Sequence, residues 1–580
     1  MAYALSQIFV VSQKASGLVK YQEGLTSYYD VLVTHGLGNF RDLLTDVTFH
    51  PIMGNYLGSA GSKKGTVAAD GTVTRQADEN FARELMQLFT LGPNLLALDA
   101  SVVMDDQGLT QATYTPQDIR QFAKIFTGLC YVERCDARFA DYTRPMTMID
   151  EWHDISEKTV FGHVLPADRT DGKDDIKDAL DIIFNHQNVG PFISKKLIQF
   201  LVTSNPSEDY IARVAAVFND NGSGVRGDLA QVGKAILMDD EARYGHFYNP
   251  TGFGKLKEPV LRMAHVFRAM ELIEKGDNFI WYKLENCAMQ EPLGAPSVFN
   301  FYSANFKHHS LPDGMVSPEF GINSESQLIT FSNCMFDQTR YKMLHKFEPF
   351  IGQTANTCDF TITPLPTGNF KVESALGNPL AVWHLQYGAQ LGLYLRMSNK
   401  SFERCAAKDC EFSFTELDNG KYRFNSSSDD PLAVFDLNLG AEDGLYVRMS
   451  MDSVETCASV DCEFNIVPVK NGKYKIESGA GYPLAIWGLE SGADHGMHVR
   501  MFKGEYENCP VIEVGDQLAL DRFNLLFTAG RMSEHLQATL QDLMVSIRAY
   551  DNGRGNFDER DVMSNVLTTL FHTPEFAIQQ

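Results

Sequence analysis

The chain has 580 residues, and 50 Lys and Arg against 74 Asp and Glu leave a net charge of −24 with His neutral. That balance argues against binding by non-specific attraction to nucleic acid or to an anionic membrane surface, and no apolar run reaches the roughly 18 residues that span a bilayer. A hydrophobic content of 44% with 21% charged residues excludes wholesale disorder and leaves chain for about three or four domain-sized units.

From the first residue the pattern is helical. Ala2 to Phe9 is amphipathic, with none of the basic leader, long apolar core and small-residue cleavage site of a signal peptide. Asp78 to Leu91 reads as one helix with Phe81, Leu85 and Leu88 on a single face and Asn80, Glu84 and Gln87 on the strip beside it. Glu79 and Arg83 stand at i, i+4 and are placed to pair. Thr115-Pro116-Gln117-Asp118 is a capping-box start, followed by Ile119, Phe122, Ala123 and Phe126 at helical spacing. Ile176, Ala179, Leu180 and Ile183 form another stripe, and Ile211, Val214, Ala215 and Phe218 a third after Asn205-Pro206-Ser207-Glu208.

Between residues 358 and 509 the sequence copies itself three times with a period of 52. Gly368-Asn369-Phe370-Lys371 returns at Gly420 and Gly472, Pro379 to Trp383 at Pro431 and Pro483, and Leu393 to Met397 at Leu445 and Met497. Each copy offers about four short alternating runs separated by turn residues. Three copies of four strands match a β-trefoil; a propeller fits less well because it usually needs four or more blades, and a three-sided β-prism is the minority alternative. Beyond the repeats, Ser533 is placed to cap a helix through Leu536, Leu540 and Leu543, and Phe557 to Phe571 reads as a last helix. The fold expected is a mainly α, multi-helical body over 1–352, an inserted all-β domain over 353–515, and helices over 516–580 completing the body. Insertion suits a domain whose ends lie close together.

Six of the ten cysteines obey the 52-residue period: Cys358, Cys410 and Cys462, with Cys405, Cys457 and Cys509. The short gaps favour Cys405–Cys410 and Cys457–Cys462 disulfides, with symmetry pairing Cys358 and Cys509 across the ends of the insert. Pairing within a copy, Cys358 with Cys405 and its equivalents, is the alternative, because spacing does not settle connectivity. Zinc is a weaker reading, since Cys-x4-Cys has no second ligand pair nearby. Cys130 and Cys135 are candidates for a further pair in the body. Disulfides in this number point to an oxidising compartment.

The residue types that carry chemistry are sparse. Glu84 at an apolar boundary is a candidate general acid or base, and His153-Asp154 a candidate oriented imidazole; the competing reading is a satisfied polar network that pins helices together. Glu258 and Arg262 at i, i+4 lean to a structural ion pair. His308 and His309 are adjacent, so they are expected to point apart, and no metal ligand set or cofactor motif is recognised: there is no P-loop, Gly-rich dinucleotide turn or nucleophile elbow. In the repeats, alternation places Leu393, Leu395 and Met397 inward and Tyr394 with Arg396 outward, recurring as Tyr446 with Arg448 and His498 with Arg500. An exposed aromatic beside a guanidinium can stack on a sugar and fork onto a carboxylate or sulfate. The competing role for these arginines is pairing with the periodic Glu403, Glu455 and Glu507.

Several long segments resemble one bacterial family, domain of unknown function 1800. They are Ala4-Leu5-Ser6-Gln7-Ile8-Phe9-Val10-Val11-Ser12, Gly38 to Leu44, Asp78 to Gly92, Tyr114 to Gly128, His153-Asp154 with Lys158-Thr159 and Gly162, Leu201 to Pro206, Lys257-Glu258-Pro259-Val260, Pro296-Ser297-Val298-Phe299-Asn300 and Thr573-Pro574-Glu575-Phe576. The resemblance implies export to the periplasm or outside the cell and a secreted, sulfatase-like partner, but no reaction. Members of the family usually carry a further helical segment and leader before the Ala-Leu-Ser-Gln motif, and the threefold repeat is no part of their common core. The functional expectation is therefore an exported helical protein whose lectin-like β domain binds a carbohydrate polymer, an anionic polysaccharide among the candidates, as a binding or assembly component. The alternative is a secreted polysaccharide hydrolase or lyase with its site around Glu84 and His153.

Overall fold

The computed structural model describes residues 1–580 except 16, 69, 71, 271–283, 339–353, 375–378, 384–392, 398–405, 436–444, 450–458, 470–471, 488–496, 510, 514, 552–558 and 580. Two compact units emerge: Met1–Lys342 with Leu567–Gln580, and Met343–Val566.

The first unit is helical. Several of its helices begin where the sequence supplies caps. Thr115 and Asp118 close the capping box of helix Pro116–Ile125, Asp171 caps Gly172–Asn185, and Ser207 caps Glu208–Asn219. The apolar stripes read from the sequence are the buried faces: Ile119, Phe122 and Ala123, then Ile176, Ala179, Leu180 and Ile183, then Ile211, Val214, Ala215 and Phe218, all buried and all but Ala215 in one core. Short antiparallel pairs stitch the loops, among them Lys158–Val160 with His163–Leu165 and Lys255–Leu256 with Ile578–Gln579. Cys130–Cys135 and Cys287–Cys334 are disulfides, the second joining helices Leu284–Ala288 and Glu325–Gln338. Among the described residues, no helix is long and apolar enough to cross a membrane.

One helix departs from the expected form. The Asp78 segment is α-helical only over Asn80–Glu84 and continues as a π-helical turn over Leu85–Thr90. The Leu91 and Gly92 amides both donate to the Met86 carbonyl, at 2.9 and 3.0 Å, and the Thr90 hydroxyl to Leu85 O at 2.5 Å. The wider turn rotates less per residue than an α-helix, and Leu88 packs only half-buried against the core that holds Phe81 and Leu85. Gly92 ends the turn with φ +75°, and a Cβ there would sit 3.0 Å from the Phe192 ring.

Among the described residues, the repeat region of the second unit holds twelve strands in three sets of four. They are β1 Phe360–Pro364, β2 Phe370–Ser374, β3 Leu380–Trp383, β4 Leu393–Met397, β5 Phe412–Glu416, β6 Tyr422–Ser426, β7 Leu432–Phe435, β8 Leu445–Met449, β9 Phe464–Pro468, β10 Tyr474–Ser478, β11 Leu484–Trp487 and β12 Met497–Met501. The hairpins β1–β2, β5–β6 and β9–β10 form a closed six-stranded barrel in the order β1-β2-β5-β6-β9-β10. The hairpins β3–β4, β7–β8 and β11–β12 form a second sheet in which β4, β8 and β12 all pair with one another. Registers repeat at 52 residues: Phe360 opposes Ser374, Phe412 opposes Ser426 and Phe464 opposes Ser478.

The core follows the same period. Its eighteen buried residues are six positions used three times, such as Phe360, Phe412 and Phe464 or Met397, Met449 and Met501. The ends of the β region meet where Thr354–Asn356 pairs with Val511–Glu513 and Cys358 bonds Cys509, with Cα atoms 6.2 Å apart. Cys410 and Cys462 are disulfide-bonded as well, while Cys405 and Cys457 lie outside the described residues. Helices Gly515–Thr528 and Glu534–Asp551 belong to this second unit, joined by Arg548 forking onto Asp516 at 2.6 and 2.7 Å.

Candidate functional site

His153 is sealed. It is 1% exposed, with Nδ1 2.8 Å from the Thr127 carbonyl and Nε2 3.1 Å from Asp175 Oδ2. Asp175 is the hub of this cluster, since Lys158 reaches it at 2.7 Å and Arg169 at 3.3 Å. Burial pushes the Asp175 carboxyl up, but hydrogen bonds from His153 and Lys158, with the Lys158 charge, outweigh it and hold the pKa below the usual range. Both ring nitrogens of His153 are thus occupied, and none remains for a substrate. Asp154 is half-buried and spends Oδ1 on the Ser156 amide at 2.9 Å, a turn-forming bond.

Glu84 stands apart from that cluster. It is 7% exposed, and its Oε2 is buried with no hydrogen-bond partner. Burial pushes its carboxyl pKa up while the Arg83 charge draws it down, and burial together with Glu84 pushes the Tyr56 hydroxyl up to about 12. Arg83 itself pairs with Glu79 at 2.9 Å, as the spacing indicates.

Glu258 and Arg262 do not pair as expected. The fully buried Glu258 carboxylate accepts from Tyr3 at 2.8 Å, from Gln7 at 3.0 Å and from Gln290, which are donors enough to replace its hydration. Arg262 turns to Asn323 at 2.6 Å and lies 4.7 Å over the Phe331 ring, and burial pushes its pKa down to about 10. The His308 and His309 rings do not diverge either; their centroids lie 4.2 Å apart.

The Glu258 network leads to a cavity of about 330 Å³ that the sequence did not indicate. Gln7 spans the gap: its Nε2 donates to Glu258, and its Oε1 accepts from Asn300 Nδ2 at 2.8 Å on the cavity wall. The π-helical turn brings Gln87 and Leu88 to another wall, and helix Val189–Leu201 brings Phe192, Lys196 and Gln199. Asn300 is held at φ +67°, uncommon for a residue with a Cβ, by the turn in which its amide donates to Ser297 O at 3.1 Å. Glu319 also lines the space, but its oxygens are taken by the buried Lys255 at 3.0 Å and by Ser204 at 3.1 Å. Lys196 is half-buried, and burial pushes its pKa down to about 8. Its ammonium lies 5.0 Å from the centre of the Phe192 ring. Gln7, Gln87 and Asn300 each sit in a different motif segment quoted above; an amide recurring in three such segments was the available signal. Nothing in the sequence marks Lys196.

In the β unit, strand alternation holds where side chains are described. Leu395, Met397, Val447, Met449, Val499 and Met501 are buried, while Arg396 and Arg500 are half-buried. Tyr394, Tyr446, Arg448 and His498 are placed by backbone register alone. That register opposes Tyr394 to Arg448, Tyr446 to Arg500 and His498 to Arg396, so each Arg faces the aromatic position of a neighbouring copy. No curated protein matches the chain. The sequence model of the family described as protein of unknown function (DUF1800) matches residues 1–578, essentially the whole length, and the chain belongs to that family.

Proposed function

We propose that the second unit is a β-trefoil of three 52-residue repeats that binds carbohydrate, specifically an anionic polysaccharide. In this reading the protein works outside the cytoplasm as a binding or assembly component, beside a secreted sulfatase-like partner. One observation carries it: the three register pairs Tyr394/Arg448, Tyr446/Arg500 and His498/Arg396 close a ring around the strands β4, β8 and β12. Directly opposed positions of an antiparallel pair share a face, so each pair joins a ring for stacking to a guanidinium for a carboxylate or sulfate. Repetition around the ring supplies avidity for a polymer long enough to touch more than one pair. The disulfides Cys130–Cys135, Cys287–Cys334 and Cys358–Cys509 support an oxidising location.

The test uses the full chain on an array of neutral, carboxylated and sulfated polysaccharides. The combined Arg396→Ala, Arg448→Ala and Arg500→Ala variant is expected to lose at least about a hundredfold in affinity for the acidic polymers, through lost contacts and lost avidity together. Absence of binding by the wild type, or binding that survives the triple substitution, removes the proposal.

A further inference from the structure

We propose that the cavity of the helical unit binds a small polyhydroxylated carboxylate, a sugar acid, with its carboxylate on the Lys196 ammonium and its hydroxyls on the amides of Gln87 and Asn300. The site is separate from the β unit, and the inference does not rest on the carbohydrate-binding reading given above.

Charge selects the anion. Among the described residues, Lys196 has no carboxylate and no hydrogen-bond acceptor, while Glu319, the one carboxylate on the cavity wall, is already paired with the buried Lys255 behind it. Among the described residues, a chain of net charge −24 thus keeps an uncompensated cation on a cavity wall. Holding a half-desolvated ammonium there is costly unless a ligand of opposite sign completes it.

The remaining walls select for hydroxyls on a small ring. Gln87 is half-buried at the cavity and, among the described residues, makes no side-chain hydrogen bond, so both its donor and its acceptor are available. Asn300 has one amide hydrogen committed to Gln7, and the Glu258 carboxylate behind Gln7 fixes that orientation. Amides that both donate and accept suit hydroxyl groups, which do the same. Phe299 is 60% exposed beside this wall and presents an apolar face of the kind that packs on a sugar ring. A volume of about 330 Å³ sits at the lower end for small-molecule sites, which suits a monosaccharide.

The depressed Lys196 pKa gives the site a pH signature. With the ammonium lost above about 8, affinity for a carboxylate falls between pH 7 and pH 9, well below the range of an ordinary lysine.

Titration calorimetry and ligand-observed NMR on the full chain, with glucuronate, glucose and acetate as probes, test this. Glucuronate is expected to bind saturably and at least about tenfold more tightly than either glucose, which lacks the charge, or acetate, which lacks the hydroxyls. Lys196→Met is expected to abolish that preference, Lys196→Arg to keep it, and Gln87→Ala to weaken glucuronate with little effect on acetate. The Arg396→Ala, Arg500→Ala variant, altered only in the β unit, is expected to bind glucuronate as the wild type does. The proposal is overturned if glucuronate binds no better than glucose, if Lys196→Met keeps the preference while circular dichroism shows a folded chain, or if the β-unit variant loses it. A failure of the polysaccharide array leaves this result untouched, and the reverse also holds.

Discussion

The two units bury different things. In the β unit eighteen core side chains reduce to six apolar positions copied three times, and Cys358–Cys509 joins the ends of the region. In the helical unit charged groups are part of the interior: Asp175 gathers His153, Lys158 and Arg169, Glu258 gathers Tyr3, Gln7 and Gln290, and Lys255 meets Glu319. A repeated apolar core gains stability from area removed from water, which is non-directional and tolerant of small changes. A buried ionic hub is specific instead: removing one member strands the others without water or partner. The first kind of interior makes a platform, and the second positions individual groups around a hollow.

Removing the staple tests the platform most severely. The Cys358→Ser, Cys509→Ser variant frees a loop whose ends are 151 residues apart, for which chain entropy predicts a loss of up to about 5 kcal/mol. Hydrogen exchange is expected to show protection lost in β1 to β12 and kept in helix Gly172–Asn185. Equal loss in both would erase the contrast between the units.

The converse variant strikes the hub. Asp175→Asn leaves the 1%-exposed Lys158 without its counter-charge, and a cost of about 3–5 kcal/mol is expected. Exchange should then rise first in helix Gly172–Asn185 and strand Lys158–Val160. A loss under about 1 kcal/mol would mean that the cluster is less tightly closed than its distances imply.

The smallest expected effect has the opposite sign. Lys196→Met removes a desolvated ammonium and should stabilise the protein at pH 7 by on the order of 1–2 kcal/mol, read as a rise of a few degrees in Tm. Above pH 8 the folded wild type sheds this proton while the unfolded chain holds it to about 10.4, so wild-type stability rises with pH across that window and the advantage of the variant shrinks. Destabilisation by Lys196→Met at pH 7 would show that the lysine serves packing rather than a ligand.

Local and repeated features were readable before the tertiary structure. The Thr115–Asp118 capping box, the Ile176 and Ile211 stripes and the Glu79–Arg83 pair all depend on neighbours within one turn or two. The 52-residue period announced the barrel's spacing because any signal present three times stands above the background of one sequence. Cys358 and Cys509 followed from the same symmetry, whereas Cys287 and Cys334 belong to no period and gave no sign of pairing.

What the chain itself determined, then, is where its helices start, which faces they bury and that three like segments must share one arrangement, since such matters are decided by contacts between close neighbours and by repetition. Tertiary structure alone decided that the Asp78 segment unwinds into a π turn, that His153 is spent on Asp175, and that Gln7, Gln87, Lys196 and Asn300 surround one hollow. Those four residues are separated by as many as 293 positions, and only packing, which has no signature in spacing, brings such groups within reach of a single small molecule.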